Sequence, residues 1–208
     1  MKRFFVIFAL MMLVAGAANA QQYLYEHQNE IGIYTTEVPT GLIENQDAET
    51  SYTGAPGGAI MAYVVLTNPW NQNTNAPITL VGGFEFHLYL PSNVFLLGQV
   101  LPPSSTNFAT APDFYVGCAA PVANGACTLI ALTLGEFTGT AGYVSLGPVT
   151  TLAPSVPDNM AVTDYNDDFS ISLAYPVSGD FALPVFGMYQ PVVPNDDASW
   201  GGVKSLYR

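Results

Sequence analysis

The stretch Leu80-Val81-Gly82-Gly83-Phe84-Glu85-Phe86-His87-Leu88-Tyr89-Leu90 decides the fold class. Phe84, Phe86, Leu88 and Leu90 recur at every second position, with Glu85, His87 and Tyr89 between them, which is the period of a strand that packs one face and wets the other. Working outward, Ile60 to Thr67 is apolar almost throughout, as in a strand buried on both sides, and it ends in a polar run from Asn68 to Pro77 that is long enough to carry a site. Further candidate strands are Ile31 to Thr36, Val94 to Leu101, Phe114 to Cys118, Thr128 to Leu134, Tyr143 to Val149, Ser170 to Ala174 and Leu183 to Met188. Pro102-Pro103 and the Pro154 to Pro157 segment punctuate them as rigid connections. Helical periodicity is almost absent. About nine short strands separated by turn residues predict an all-β fold, a two-sheet antiparallel β-sandwich, since one open sheet of that size would leave its apolar face bare.

The first residues set the compartment. Lys2 and Arg3, an apolar run from Phe4 to Ala18, and Ala18-Asn19-Ala20 read as a cleavable secretion signal ending at residue 20. The expected organisation is therefore a signal peptide (1–20), one sandwich domain (21–194) and a C-terminal tail (195–208). That run is short for a membrane span, and no later stretch offers the roughly 20 apolar residues a spanning helix needs. The chain is expected in the periplasm, at the cell surface or outside the cell.

Charge narrows the partners. The chain has four Lys and Arg against sixteen Asp and Glu, a net charge of -12, and residues 21 to 203 contain no Lys or Arg at all. After removal of residues 1–20, two cations against sixteen acids leave -14. Such a body cannot neutralise phosphates, which makes nucleic acid and anionic membrane surfaces poor partners. An extracellular protein or a glycan remains.

Cys118 and Cys127 are the two cysteines, with eight residues between them that include Pro121 and the turn pair Asn124-Gly125. In an oxidising compartment this predicts one local disulfide, a staple on a hairpin loop contributing about 2–3 kcal/mol. Two cysteines are too few for a structural zinc site.

Enzyme chemistry lacks parts. His27 and His87 are the two histidines, no Gly-x-Ser-x-Gly elbow occurs, and His27 with Glu30 lacks the second histidine of a zinc-protease motif. A pair of carboxylates would suffice for a glycosidase, and Glu85 beside His87 is the most suggestive acid, although both read first as solvent-facing strand residues. Asp164-Tyr165-Asn166-Asp167-Asp168 offers Asp164, Asn166, Asp167 and Asp168 as oxygen donors for calcium, without the order of an EF-hand, and an ordinary surface turn needs the same residues. No other cofactor is expected. Trp70, in the polar loop, and Tyr89, on the outer strand face, are the candidate stacking residues for a sugar ring, to be weighed against the aromatic filling of a charge-poor core. The tail, Ser199-Trp200-Gly201-Gly202-Val203-Lys204-Ser205-Leu206-Tyr207-Arg208, holds both remaining cations; Trp200, Lys204, Tyr207 and Arg208 form a candidate contact set or simply complete the fold.

This ending resembles that of a group of secreted bacterial proteins that finish in Ser-Trp-Gly-x-Val-Lys-x-Leu-Tyr-Arg. Ile31-Gly32-Ile33-Tyr34 and Val81-Gly82-Gly83-Phe84-Glu85-Phe86 are similar to that group as well. The resemblance implies a secreted sandwich and carries no activity. More loosely, Gly-Phe-Glu-Phe-His-Leu-Tyr-Leu-Pro followed by Val-Phe-Leu-Leu is similar to cohesin-like and carbohydrate-binding sandwich modules. The expectation is a non-catalytic binding or structural protein, with a carbohydrate-binding module, assisted by calcium or not, as the alternative and a glycoside-active enzyme as the second.

Overall fold

The computed structural model describes residues 28–36, 50–54 and 57–189. The signal segment, His27 and the tail residues Trp200, Lys204, Tyr207 and Arg208 lie outside them. Among the described residues there are strands and turns and no helix. The strands are β1 (Glu30–Tyr34), β2 (Ser51–Tyr52), β3 (Gly58–Thr67), β4 (Trp70–Asn71), β5 (Ala76–Pro77), β6 (Leu80–Tyr89), β7 (Val94–Val100), β8 (Thr106–Asn107), β9 (Asp113–Pro121), β10 (Ala126–Glu136), β11 (Gly142–Gly147), β12 (Met160–Asp164), β13 (Ser170–Pro176) and β14 (Phe186–Met188).

The pairing differs from a simple two-sheet antiparallel sandwich. One hydrogen-bonded network of twelve strands runs β2-β14-β11-β6-β12-β13-β1-β3-β10-β7, with β9 on the other side of β6 and β8 beyond it, and β4-β5 form a separate pair. Two of the pairings, β1 with β13 and β2 with β14, are parallel. The two layers nonetheless close over a single core. Ile31 and Ile33 of β1, Ile60, Ala62, Val64 and Leu66 of β3, Phe84, Phe86 and Leu88 of β6, and Phe114 and Val116 of β9 all belong to one buried cluster. The alternation read at β6 is what delivers three aromatic and aliphatic side chains to that cluster: Phe84, Phe86 and Leu88 are buried, and Phe86 packs on Phe114 with ring centroids 5.1 Å apart.

β12 is the strand the sequence reading passed over. It pairs with β6 on one side and β13 on the other, and β13, which also pairs with β1, carries the network into the second layer. Its five residues follow the proline-bounded segment and end on Asp164, so loop-type composition on both flanks hid an apolar core of Met160, Ala161 and Val162. Gly83 is also placed by this junction. A β-carbon there would stand 2.7 Å from the Val116 carbonyl oxygen, so the close approach of β9 at the β6 bulge needs glycine.

The expected hairpin staple is not found. β9 pairs with β6 and β8, whereas β10 pairs with β3 and β7, so Cys118 and Cys127 stand on strands of opposite layers and both are free buried thiols. The Asn124-Gly125 turn is present, with φ of 52° and 76°, but it closes a single bridge between Ala123 and Ala126. Burial pushes the Cys118 thiol up to about 11, and burial together with the neighbouring Cys118 pushes Cys127 up to about 12.

Candidate functional site

The outer face of β6 carries Glu85, His87 and Tyr89, three of the residues singled out from sequence. Across β9, Glu85 is opposite Tyr115 and His87 is opposite Asp113. The segment that follows β11 folds back over this face and is pinned to it by carboxylates. Ser155 donates its amide (2.7 Å) and its hydroxyl (2.9 Å) to Glu85, and the Ser155 hydroxyl also meets that of Tyr115 at 3.0 Å. Asp113 accepts the Thr150 amide (3.0 Å), the Thr150 hydroxyl (3.1 Å), the Thr151 amide (2.9 Å) and the His87 ring at Nδ1 (2.6 Å).

Glu85 is therefore not the solvent-facing residue that alternation predicts. It is 3 % exposed, because the Ser155 segment covers it. His87 is partly covered as well, and its ring lies 4.3 Å from that of Tyr89, which remains 44 % exposed. Burial alone would push the Asp113 carboxyl up, but the donors from Thr150, Thr151 and His87 together outweigh it and hold the carboxyl far below the usual range. An ionised Asp113 needs a proton on His87 Nδ1.

This is an Asp-His pair without the geometry of a nucleophilic triad. The Thr150 hydroxyl lies 3.3 Å from Nδ1, the nitrogen already held by Asp113, and the Ser155 hydroxyl is occupied by Glu85 and Tyr115. The carboxylates act as anchors for backbone amides. What the face offers outward is aromatic: Ser145 of β11 is opposite Tyr89, and Tyr143, two residues earlier on the same side of β11, is also 44 % exposed. The Tyr89 ring itself leans away from Tyr143, over Gly147, where a β-carbon would meet it at 2.8 Å.

The acidic segment after β12 has a comparable job. Asp164 and Asp167 converge on the amide nitrogen of the fully buried Asn71, at 3.0 and 2.9 Å, joined by the Ser170 hydroxyl at 2.9 Å. Asn71 Oδ1 accepts the amides of Asn73 and Thr74, so its side chain cannot turn its oxygen toward the acids without losing both bonds. Asn166 reaches Thr79 instead, and Asp168 is exposed with a φ of 46°. Among the described residues no three His, Cys, Asp or Glu side chains lie close enough together to hold a metal. Trp70 is half-buried in the small β4-β5 hairpin; its backbone is clamped by the Asn29 side chain at 2.6 and 2.8 Å, and its ring nitrogen donates to Asn75. The polar loop is thus a hairpin pinned through Asn29. Glu30 is a buried residue of β1.

Sequence reasoning missed Asp113, Thr150, Ser155 and Tyr143. Tyr143 alone had a signal, its alternation with the buried Val144 and Leu146. The other three meet β6 only through tertiary folding.

No protein-family model matches the chain, and no curated protein matches it. Among solved structures it is similar to a non-cellulosomal cohesin from the hyperthermophilic archaeon Archaeoglobus fulgidus, at 12 % identity and a TM-score of 0.39, over 69 % of this chain and 86 % of that one. It is likewise similar to a type II cohesin domain from the cellulosome of Acetivibrio cellulolyticus, at 14 % identity and a TM-score of 0.40, over 84 % of this chain and 99 % of that one. At these scores the likeness carries no partner, metal or activity over to this chain.

Proposed function

We propose that the protein is a non-catalytic binding module of the extracellular space, with the Tyr89 and Tyr143 face as its contact surface. One observation carries this reading. The acids on that face are buried and occupied by loop amides, while the two tyrosines beside them stay 44 % exposed on a sheet whose backbone is held on both sides. A rigid aromatic surface loses little entropy on binding and supplies large contact area. A reacting carboxylate would need to face substrate, and Glu85 and Asp113 face amides.

The favoured ligand is an uncharged glycan. Exposed tyrosine rings suit the apolar faces of sugar rings, the Ser145 hydroxyl lies on the same side of β11 as Tyr143, and a body without fixed cations does not favour an anionic polymer. Affinity electrophoresis through gels containing neutral polysaccharides tests this: retardation by at least one, lost in Tyr89→Ala and Tyr143→Ala while the melting temperature holds, supports the reading. Equal mobility in every gel would sink the glycan and leave a protein partner.

A further inference from the structure

β7 ends the strand order, and among the described residues its backbone pairs with β10 alone. Edge strands are normally guarded by Lys, Pro or inward charge. Val94-Phe95-Leu96-Leu97-Gly98-Gln99-Val100 has none of these, and its one protective device is the bulge that turns Leu97 outward between the Thr133 and Leu134 pairings. Phe95, Leu97 and Val100 are 49 %, 51 % and 66 % exposed, and Met61 of β3 and Phe137 beyond β10 are 47 % and 57 % exposed. Three of these side chains adjoin one another. The Phe95 and Phe137 rings are 6.2 Å apart, and Leu97 and Phe137 both lie across the bare backbone of Gly135, where a β-carbon would meet them at 2.7 and 2.9 Å.

The patch is also electrically empty. β3, β7 and β10 together contain one ionisable acid or base of the Asp, Glu, Lys and Arg types, Glu136, which is buried and held by Thr138, Gly139 and Asn93. In a chain of net charge -12 this is the face on which two copies can approach without like charges opposing them, and it offers nothing to a charged partner.

We infer that the β7 edge and the apolar face beside it form a self-association surface whose occupant is a second copy of this chain, placed antiparallel about a twofold axis at β7. An edge strand is self-complementary in that arrangement, since each copy presents the same ladder and the same side chains to the other. The footprint limits the strength. Seven residues give an edge about 23 Å long, and pairing along it covers β7 and its projecting side chains rather than the whole three-strand face. A standard interface buries about 800 Å² per partner. The bulge further confines strand pairing to short segments on either side of Leu97, so association depends on concentration: monomer at low micromolar, dimer at high micromolar protein.

Sedimentation equilibrium of the full chain over that range tests the inference. The expected weight-average mass rises toward twice the monomer, Leu97→Lys and Val100→Lys each weaken the association about tenfold or more, and Leu152→Lys, exposed on the segment after β11, leaves it unchanged. Thermal melts of the exposed variants confirm that they fold. A monomer at every concentration overturns the inference, as does a dimer indifferent to both lysines. A dimer that survives Leu97→Lys but is lost on truncation after Asp197 also overturns it and assigns the contact to the tail. None of these outcomes touches the Tyr89 face.

Discussion

Glu85 takes two hydrogen bonds from Ser155, seventy positions later in the chain, one from the amide at 2.7 Å and one from the hydroxyl at 2.9 Å. The residue that alternation would place in water is thus the buried anchor of a covering segment. Glu85→Ala leaves a buried amide without its acceptor and is expected to cost about 2–3 kcal/mol in urea unfolding. It should also raise protease sensitivity within residues 148–159. An unchanged midpoint and unchanged cleavage would show that the segment is held by other contacts.

Asp113 predicts a pH dependence. Its folded pKa is depressed, so the stability it contributes is complete above the unfolded value of about 4 and is lost as pH falls through the far lower folded value. Unfolding free energy should therefore decline below about pH 4, and Asp113→Asn should flatten that limb while lowering stability at neutral pH. Parallel limbs in the two proteins would assign the acid transition to other carboxylates.

Asn71 gives the sharpest test of the acidic segment. Asn71→Ala removes the amide that Asp164 and Asp167 share and leaves two neighbouring carboxylates, for an expected loss of about 3 kcal/mol. Because the acids already have a donor between them, millimolar calcium should leave the melting temperature of the unaltered protein where it is. A clear rise with calcium, absent with magnesium, would support the metal reading of Asp164, Asn166, Asp167 and Asp168.

The two thiols have raised pKa values and buried sulfur atoms, so iodoacetamide at pH 8 should leave the folded protein unmodified. Denaturation without reductant should then yield two adducts by intact mass. No adduct until a reductant is added would mean that Cys118 and Cys127 are joined across the layers.

The sequence by itself determined the all-β class, because alternation at Leu80 to Leu90 and runs such as Ile60 to Thr67 are local consequences of pleating, and side chains two apart share a face whatever lies beyond them. It likewise determined which strand residues fill the core, Phe84, Phe86 and Leu88 among them. Alternation names a face without naming what covers it. Whether Glu85 meets water or Ser155, whether Cys118 and Cys127 share a hairpin or face each other from two layers, and whether Asp164 ends a strand or begins a turn depend on pairings between residues tens of positions apart. Tertiary structure alone decided those. Closing such contacts carries a chain-entropy cost that grows only slowly with separation, so residues 70 or 100 positions apart pair almost as readily as residues 20 apart, and no local pattern records which of them do.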